Sequence, residues 1–456
     1  MLRMATCLRQ CFGGQAGQVG GSILDVFMLP KHIYMVGIGG IGMSALAQLF
    51  AHQGKIVSGS DREASKVTQM LEEKGIRVHI GHDEKNLPED AELVIFSDAV
   101  PDDNPERREA ARRGLPQVSY FEALGEVSRN ARTIAVAGTH GKTTTAGMLA
   151  KILQDAGKEP TAIIGSIVKD FNSNFLAGTD DLFVVEACEY RDHILKLSPE
   201  ILVITNLEWD HTDYFPTFAS LQDTFRKAAE KVPPHGCIVA DPTNRNVADV
   251  IARAKAPIID YTMQSVPKLR LIGDFNIENA QAAKAAARAA FPHLSEVVTD
   301  KALLDFKGTW RRFEYKGKTR EGATVYDDYA HHPTAIAKTI AAVREELPGK
   351  HIIVAFHPHL YSRTRDLMGD FAQALSAADA VVLAPIYPAR EDPIEGITSG
   401  ALAEKISVLG TSARACVSLD DVYEYLAGSA RLSAGDVLIT MGAGDIYKVA
   451  DRIATL

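Results

Sequence analysis

Thr133-Ile134-Ala135-Val136-Ala137-Gly138-Thr139-His140-Gly141-Lys142-Thr143-Thr144-Thr145 is the stretch on which the reading of this chain turns. Five residues suited to a buried strand run directly into a glycine-rich turn, and residues able to open a helix follow. Such a turn lets successive backbone N–H groups and the helix N-terminus converge on phosphate oxygens. Within it, Lys142 can reach terminal phosphates and the Thr143 hydroxyl suits Mg²⁺. The spacing departs from GxxxxGK[ST], because Gly138 lies three residues before Gly141 rather than five. A chance Gly/Thr-rich helix entry is the plain alternative, and the preceding strand with the GKT core argues against it.

Upstream of this loop, His32–Val36 reads as a second buried strand, followed by Gly37-Ile38-Gly39-Gly40-Ile41-Gly42 and a helix through Ala45, Leu46, Leu49 and Phe50. Strands at Lys55–Ser58, ending at Asp61, and at Leu93–Phe96, ending at Ser97, continue the unit to about Arg129. The GxGxxG pattern suits a dinucleotide, another nucleotide's diphosphate or tight packing, and it does not choose among them. Asp61 stands where a dinucleotide enzyme would hold a ribose.

Downstream, strands at Leu182–Glu186 and Ile201–Thr205 are followed by a helix over Phe218–Lys231 and an Ala-rich helix from Ile277 to Ala290. Glu186, Glu189 and the run Asn206-Leu207-Glu208-Trp209-Asp210-His211 put carboxylates and an imidazole at strand tips beside the phosphate loop, where they could hold Mg²⁺ against a nucleotide. Solvated loop ends are the alternative. From about Lys307 a third unit begins, with strands at Thr324–Tyr326, His351–Phe356, Ala380–Ala384 and Asp436–Thr440. It carries Arg311 and Arg312 between aromatics, Asp327-Asp328-Tyr329-Ala330-His331-His332-Pro333, His357-Pro358-His359 and Arg363-Thr364-Arg365. Arginine forks suit carboxylate and phosphate, with a solvated face as the plain alternative. A transition-metal role for His331 with His332 is disfavoured, because no Cys or third ligand accompanies them in the sequence.

The chain's 456 residues predict three domains at about 150 residues each. Short apolar runs alternating with helical patterns make all three α/β with parallel sheets: a Rossmann-like domain over 31–129, a P-loop-type ATPase domain over 130–306 and a Rossmann-like domain over 307–456. With 49 Lys plus Arg against 58 Asp plus Glu, the net charge of −9 argues against general nucleic-acid or anionic-membrane binding. No apolar run approaches a membrane span of about 18 residues. The five scattered cysteines suggest a reducing compartment and no disulfide framework, so a cytoplasmic protein is expected. Residues 1–30 read as a disordered leader: Arg3 and Arg9 hint at a signal peptide that lacks its apolar core, and Met28 is a plausible start.

Taken together, the motifs resemble the Mur ligase family, the ATP-dependent amide-forming enzymes of peptidoglycan synthesis. The likeness runs from about Lys31 to the C-terminus. It rests on GTHGKTTT at 138–145, HIYMVGIGGIGMSALA at 32–47, VSGSD at 57–61, DDYAHHPT at 327–334, PHLYSRTRDL at 358–367 and ITMGAGDI at 439–446.

The resemblance implies ATP and Mg²⁺ as cofactors, and joining of L-alanine to the carboxylate of UDP-N-acetylmuramate through an acyl phosphate. A sibling activity, adding a preformed tripeptide to the same sugar nucleotide, is the rival. By this likeness Gly37, Gly39, Gly40 and Gly42 would bind the UDP moiety, with Ser60, Asp61, His79 and Ser97 nearby. Gly138, Thr139, His140, Gly141, Lys142, Thr143 and Thr144 would cradle ATP, with Lys142 on its terminal phosphate. Thr143 and Glu186 would hold one Mg²⁺, and His211 with Glu186 a second. Asn276 and Asn279 would lie on the adenine side, Asp328 on the ribose, and Arg312 on the phosphoryl charge, while His331 and Arg363 would hold the alanine carboxylate.

Three positions depart from the family pattern: Cys188 replaces an Asp, Phe275 a His and Leu360 an Arg. A dinucleotide oxidoreductase and a non-catalytic nucleotide-binding regulator remain as readings from other classes, and the sequence leaves monomer and homodimer open.

Overall fold

The computed structural model describes residues 30–389 and 391–454, so the expected leader, apart from Pro30, lies outside the described residues. The strands are β1 His32–Val36, β2 Ile56–Asp61, β3 Arg77–Ile80, β4 Leu93–Phe96, β5 Gln117–Ser119, β6 Arg132–Ala137, β7 Thr161–Val168, β8 Ser173–Leu176, β9 Leu182–Glu186, β10 Ile201–Ile204, β11 Cys237–Ala240, β12 Ile258–Asp260, β13 Glu314–Lys318, β14 Thr324–Asp328, β15 His351–Phe356, β16 Ala380–Leu383, β17 Ser412–Ala415 and β18 Asp436–Met441. They form a five-stranded sheet in the order β3-β2-β1-β4-β5, a seven-stranded sheet β12-β11-β10-β6-β9-β7-β8 and a six-stranded sheet β13-β14-β18-β15-β16-β17. Pairing is parallel except at two edges, β8 on β7 and β13 on β14.

Central strands such as β1 and β10 are buried along their whole length, as expected where helices cover both faces of a parallel sheet. That is why their unbroken apolar runs were readable. The edge strands β3, β5 and β17 carry no such run, and the β7–β8 hairpin and β11–β13 likewise escaped the sequence reading.

Four helices position the chemistry: α1 Ile41–His52, α2 Lys142–Asp155, α3 Asp274–Ala290 and α4 Pro333–Glu346. The buried alanines of α3, among them Ala280, Ala283 and Ala287, let it lie close against α2. One cluster of buried side chains, from Ile33 through Phe183 to Ala256, runs across the first and second sheets. Polar ties cross the same boundary, for Gln48 on α1 donates to Asn174 Oδ1 at 2.9 Å and accepts from Ser173 Oγ at 3.0 Å. The third sheet keeps its own two clusters. Among the described residues, no helix is long and apolar enough to cross a membrane, and Cys188, Cys237 and Cys416 are free thiols.

Candidate active site

β6 delivers the chain into the glycine turn at the C-terminal end of the second sheet. Gly138 has φ +128°, and a Cβ there would sit 2.1 Å from Thr205 Oγ1. Gly141 has φ +83°, and a Cβ would sit 2.1 Å from Asn279 Oδ1, so both positions demand glycine. The segment after β10 braces the turn: Asn206 Oδ1 accepts from His140 N at 2.9 Å, and Thr139 Oγ1 donates to the Glu208 carbonyl at 3.0 Å.

Lys142 Nζ lies 2.6 Å from the Gly138 carbonyl and 3.0 and 3.1 Å from the two carboxylate oxygens of Glu189. Burial alone would lower its pKa, but the neighbouring Glu189 and Glu186 charges raise it, so the ammonium persists. Glu186, at the end of β9, accepts from Gly165 N at 2.8 Å through Oε2. Between these carboxylates Cys188 is pushed up to about 12, mainly by burial, and stays a neutral thiol.

The third unit closes over this surface. Arg311 is fully engaged, donating to Asp327 Oδ2 at 2.9 Å and to the carbonyls of Gly444 and Gly442. Arg312 instead reaches across to the phosphate loop and donates to Thr143 Oγ1 at 3.0 Å. Of two adjacent arginines, one is structural and the other faces the site. Burial pushes the Asp328 carboxyl up to about 6 even with Arg312 nearby.

The cleft between these elements has a volume of about 280 Å³. Thr139, His140, Gly141, Lys142, Thr143 and Thr144 line one wall. Glu186, His211, Asn276, Asn279, Arg312, Asp328 and His331 complete the lining. Gly138 is not among the lining residues. Asn279 and Asn276 are linked, Nδ2 to Oδ1, at 3.3 Å, and Asn276 is fixed in turn on the Ile272 carbonyl at 2.7 Å.

Three expectations meet a different arrangement. His211, paired in the sequence reading with Glu186, faces Glu189 at 3.8 Å. Arg363, expected on a substrate carboxylate, does not line the cavity. Its Nε and Nη2 bind Asp210 Oδ1 at 3.0 and 2.6 Å, since a buried guanidinium needs a buried counter-charge. His331 places Nδ1 2.9 Å from the Tyr329 carbonyl, so Nδ1 carries the proton and Nε2 presents a lone pair. Burial and the nearby Arg363 charge hold its pKa well below the ordinary value. A neutral imidazole of that tautomer can accept a hydrogen bond at Nε2 and carries no charge to pair with an anion.

Glu189, Asn206, Asp210 and Glu208 are site residues to which the sequence reading gave no individual role. Their only signal was a position just beyond a strand end.

The glycine motif of the first sheet lies apart from this cavity, in the crevice between β1 and β4 where the strand order reverses. Gly37 N and Ile38 N bond the Ser60 carbonyl at 2.8 and 2.9 Å, and Gly39 N donates to Asp61 Oδ2 at 2.8 Å. Asp61 thus caps the glycine loop. Ser60 donates to the fully buried Glu106 at 2.6 Å, His79 pairs with Ser60 across β2 and β3, and Ser97 follows β4.

A UDP-N-acetylmuramate–L-alanine ligase of Caldicellulosiruptor saccharolyticus is 38% identical over 450 residues, 92% of this chain and 97% of its own length. The chain belongs to the Mur ligase family. Models described as the Mur ligase family catalytic domain, the Mur ligase middle domain and the Mur ligase glutamate ligase domain match residues 32–132, 136–267 and 311–444. An enzyme of the same name from Salinibacter ruber is 37% identical over 93% of this chain and 95% of its own length. Among solved structures, the UDP-N-acetylmuramate-alanine ligase of Thermotoga maritima superposes with a TM-score of 0.76 at 26% identity, covering 93% of this chain and 98% of its own. A murein peptide ligase of Psychrobacter arcticus gives 0.70 at the same identity and coverage. As a Mur ligase the chain is an ATP-dependent amide-forming enzyme. Its three α/β units, each with a parallel sheet, are those of the family.

Proposed function

We propose that this chain joins L-alanine to the carboxylate of UDP-N-acetylmuramate at the expense of ATP. The observation that carries the reading is identity of 35–38% with enzymes of that name over at least 92% of the chain. In this reading residues 31–129 hold the sugar nucleotide through the glycine loop, 130–306 hold ATP, and 307–456 close over it and present alanine.

A carboxylate oxygen attacks the γ-phosphorus of ATP, ADP departs, and an acyl phosphate remains. Positioning and charge neutralisation dominate such a transfer, and Lys142 and Arg312 supply fixed cations beside the loop N–H groups. Thr143 and Glu186 offer the oxygen donors that suit Mg²⁺, with His211 and Glu189 adjacent. When bound, Mg²⁺ supplies further neutralisation of phosphate charge. Asn276 and Asn279 flank the adenine side and Asp328 takes the ribose.

In the second step the free-amine form of L-alanine attacks the acyl carbon while His331 Nε2 accepts a hydrogen bond from it, the C–O bond to phosphate breaks, and the departing phosphate takes the surplus amine proton. Enclosure by the third unit shields the acyl phosphate from water.

UDP-N-acetylmuramate labelled with ¹⁸O in its carboxylate tests the sequence of events. One labelled oxygen is expected in the released phosphate, with L-alanine required for turnover. Unlabelled phosphate would contradict the acyl phosphate route.

A further inference from the structure

The sequence offers His332 no third metal ligand, but the fold does. His140 in the loop after β6, Glu208 after β10 and His332 at the start of α4 each turn one donor atom inward, all within 4.8 Å of one another. Glu208 Oε2 stands 3.5 Å from His140 Nε2 and 3.7 Å from His332 Nδ1. Around Zn²⁺ at ligand distances of about 2.0–2.1 Å, a tetrahedron has edges of roughly 3.4 Å, so these two separations already approximate two of its edges.

The surrounding bonds orient the donors. His332 Nε2 lies 3.2 Å from the Trp209 carbonyl, which fixes the proton there and leaves Nδ1 as the lone pair, held only by a long 3.3 Å bond from Thr334 N. A metal-binding histidine characteristically donates its other N–H to a carbonyl in this way. Glu208 Oε2 is aimed by the Thr334 hydroxyl. His140 Nε2 is buried and has no hydrogen-bond partner among the described residues.

We propose that His140, Glu208 and His332 form a binding site for a Zn²⁺-class transition metal, three-liganded with a fourth position open to water, that clamps the third unit to the phosphate loop. Two imidazoles and one carboxylate select a borderline cation over Mg²⁺, which prefers oxygen donors. The site is distinct from the Thr143 and Glu186 oxygens and does not depend on which amino acid is ligated.

The test is ZnCl₂ titration of the full chain in excess Mg²⁺, in competition with a chromophoric chelator, alongside the absorption spectrum of the Co²⁺-loaded protein. One equivalent is expected to bind, with an intense four-coordinate cobalt spectrum. His332→Gln and Glu208→Gln are each expected to weaken Zn²⁺ binding on the order of tenfold or more. His211→Gln should leave Zn²⁺ affinity unchanged, and circular dichroism checks the fold of every variant. Equal binding by wild type and His332→Gln, loss in His211→Gln alone, or a six-coordinate cobalt spectrum in the wild type would each overturn the proposal.

Discussion

Lys142 shows how single residues divide the work at this site. The GKT core made it the obvious phosphate ligand, and replacing it with Ala is expected to abolish turnover and to lower the thermal melt, because the buried Glu189 carboxylate loses its counter-charge. Wild-type-like rates in Lys142→Ala would sink the assignment. What the sequence did not disclose is that both carboxylate oxygens of Glu189 hold that ammonium and keep it charged. Glu189→Gln should therefore lower kcat on the order of 10²-fold through misplacement of Lys142, with a smaller change in KM for alanine, as steady-state kinetics would reveal.

Asp328 supplies a pH test. Its carboxyl titrates near 6, raised by burial, so it is ionised above that pH and protonated below it. If the carboxylate holds the ATP ribose, KM for ATP rises as pH falls through 6, and Asp328→Asn flattens the profile. Pairings such as Arg363 with Asp210, which join positions 153 residues apart, leave no mark on a local pattern.

Burial made many strands legible but was not sufficient, since β7 and β11 lie inside the second sheet, are buried over most of their length and went unread. The helix over Phe218–Lys231 lies where its amphipathic spacing and Thr217 cap place it, and β1, β4, β9 and β15 follow their apolar runs. Edge strands have one exposed side and no continuous run, so periodicity could not separate them from loops. The turn between β6 and α2 is the most constrained junction. Gly141→Ala would force a side chain into the left-handed region and against Asn279, costing on the order of 1–3 kcal/mol. A calorimetric melt of that variant should show the loss, together with loss of ATP binding.

At the scale of the molecule, the first two units share an apolar core, whereas the third meets the phosphate-loop side through polar contacts: Arg312 with Thr143, Arg363 with Asp210, and Thr334 with Glu208. The sequence showed three units but not this asymmetry, because an interface is a property of pairs of distant surfaces. Arg363→Ala would strand the buried Asp210 carboxylate and is expected to cost about 3–5 kcal/mol. The Asp210 pKa is held well below its ordinary value by Arg363 despite burial. Its stabilisation is therefore present above about pH 4 and lost as the solution is acidified through the lower, folded-state value. Melting curves of wild type and Arg363→Ala should converge at low pH.

Ligation of alanine to the sugar nucleotide is the claim on which the rest depends. Release of phosphate from MgATP, followed with UDP-N-acetylmuramate and either L-alanine, the murein tripeptide or no amino acceptor, tests it most directly. The account predicts release with L-alanine and background levels in the other two. Release with the tripeptide alone, or with neither acceptor, would contradict it.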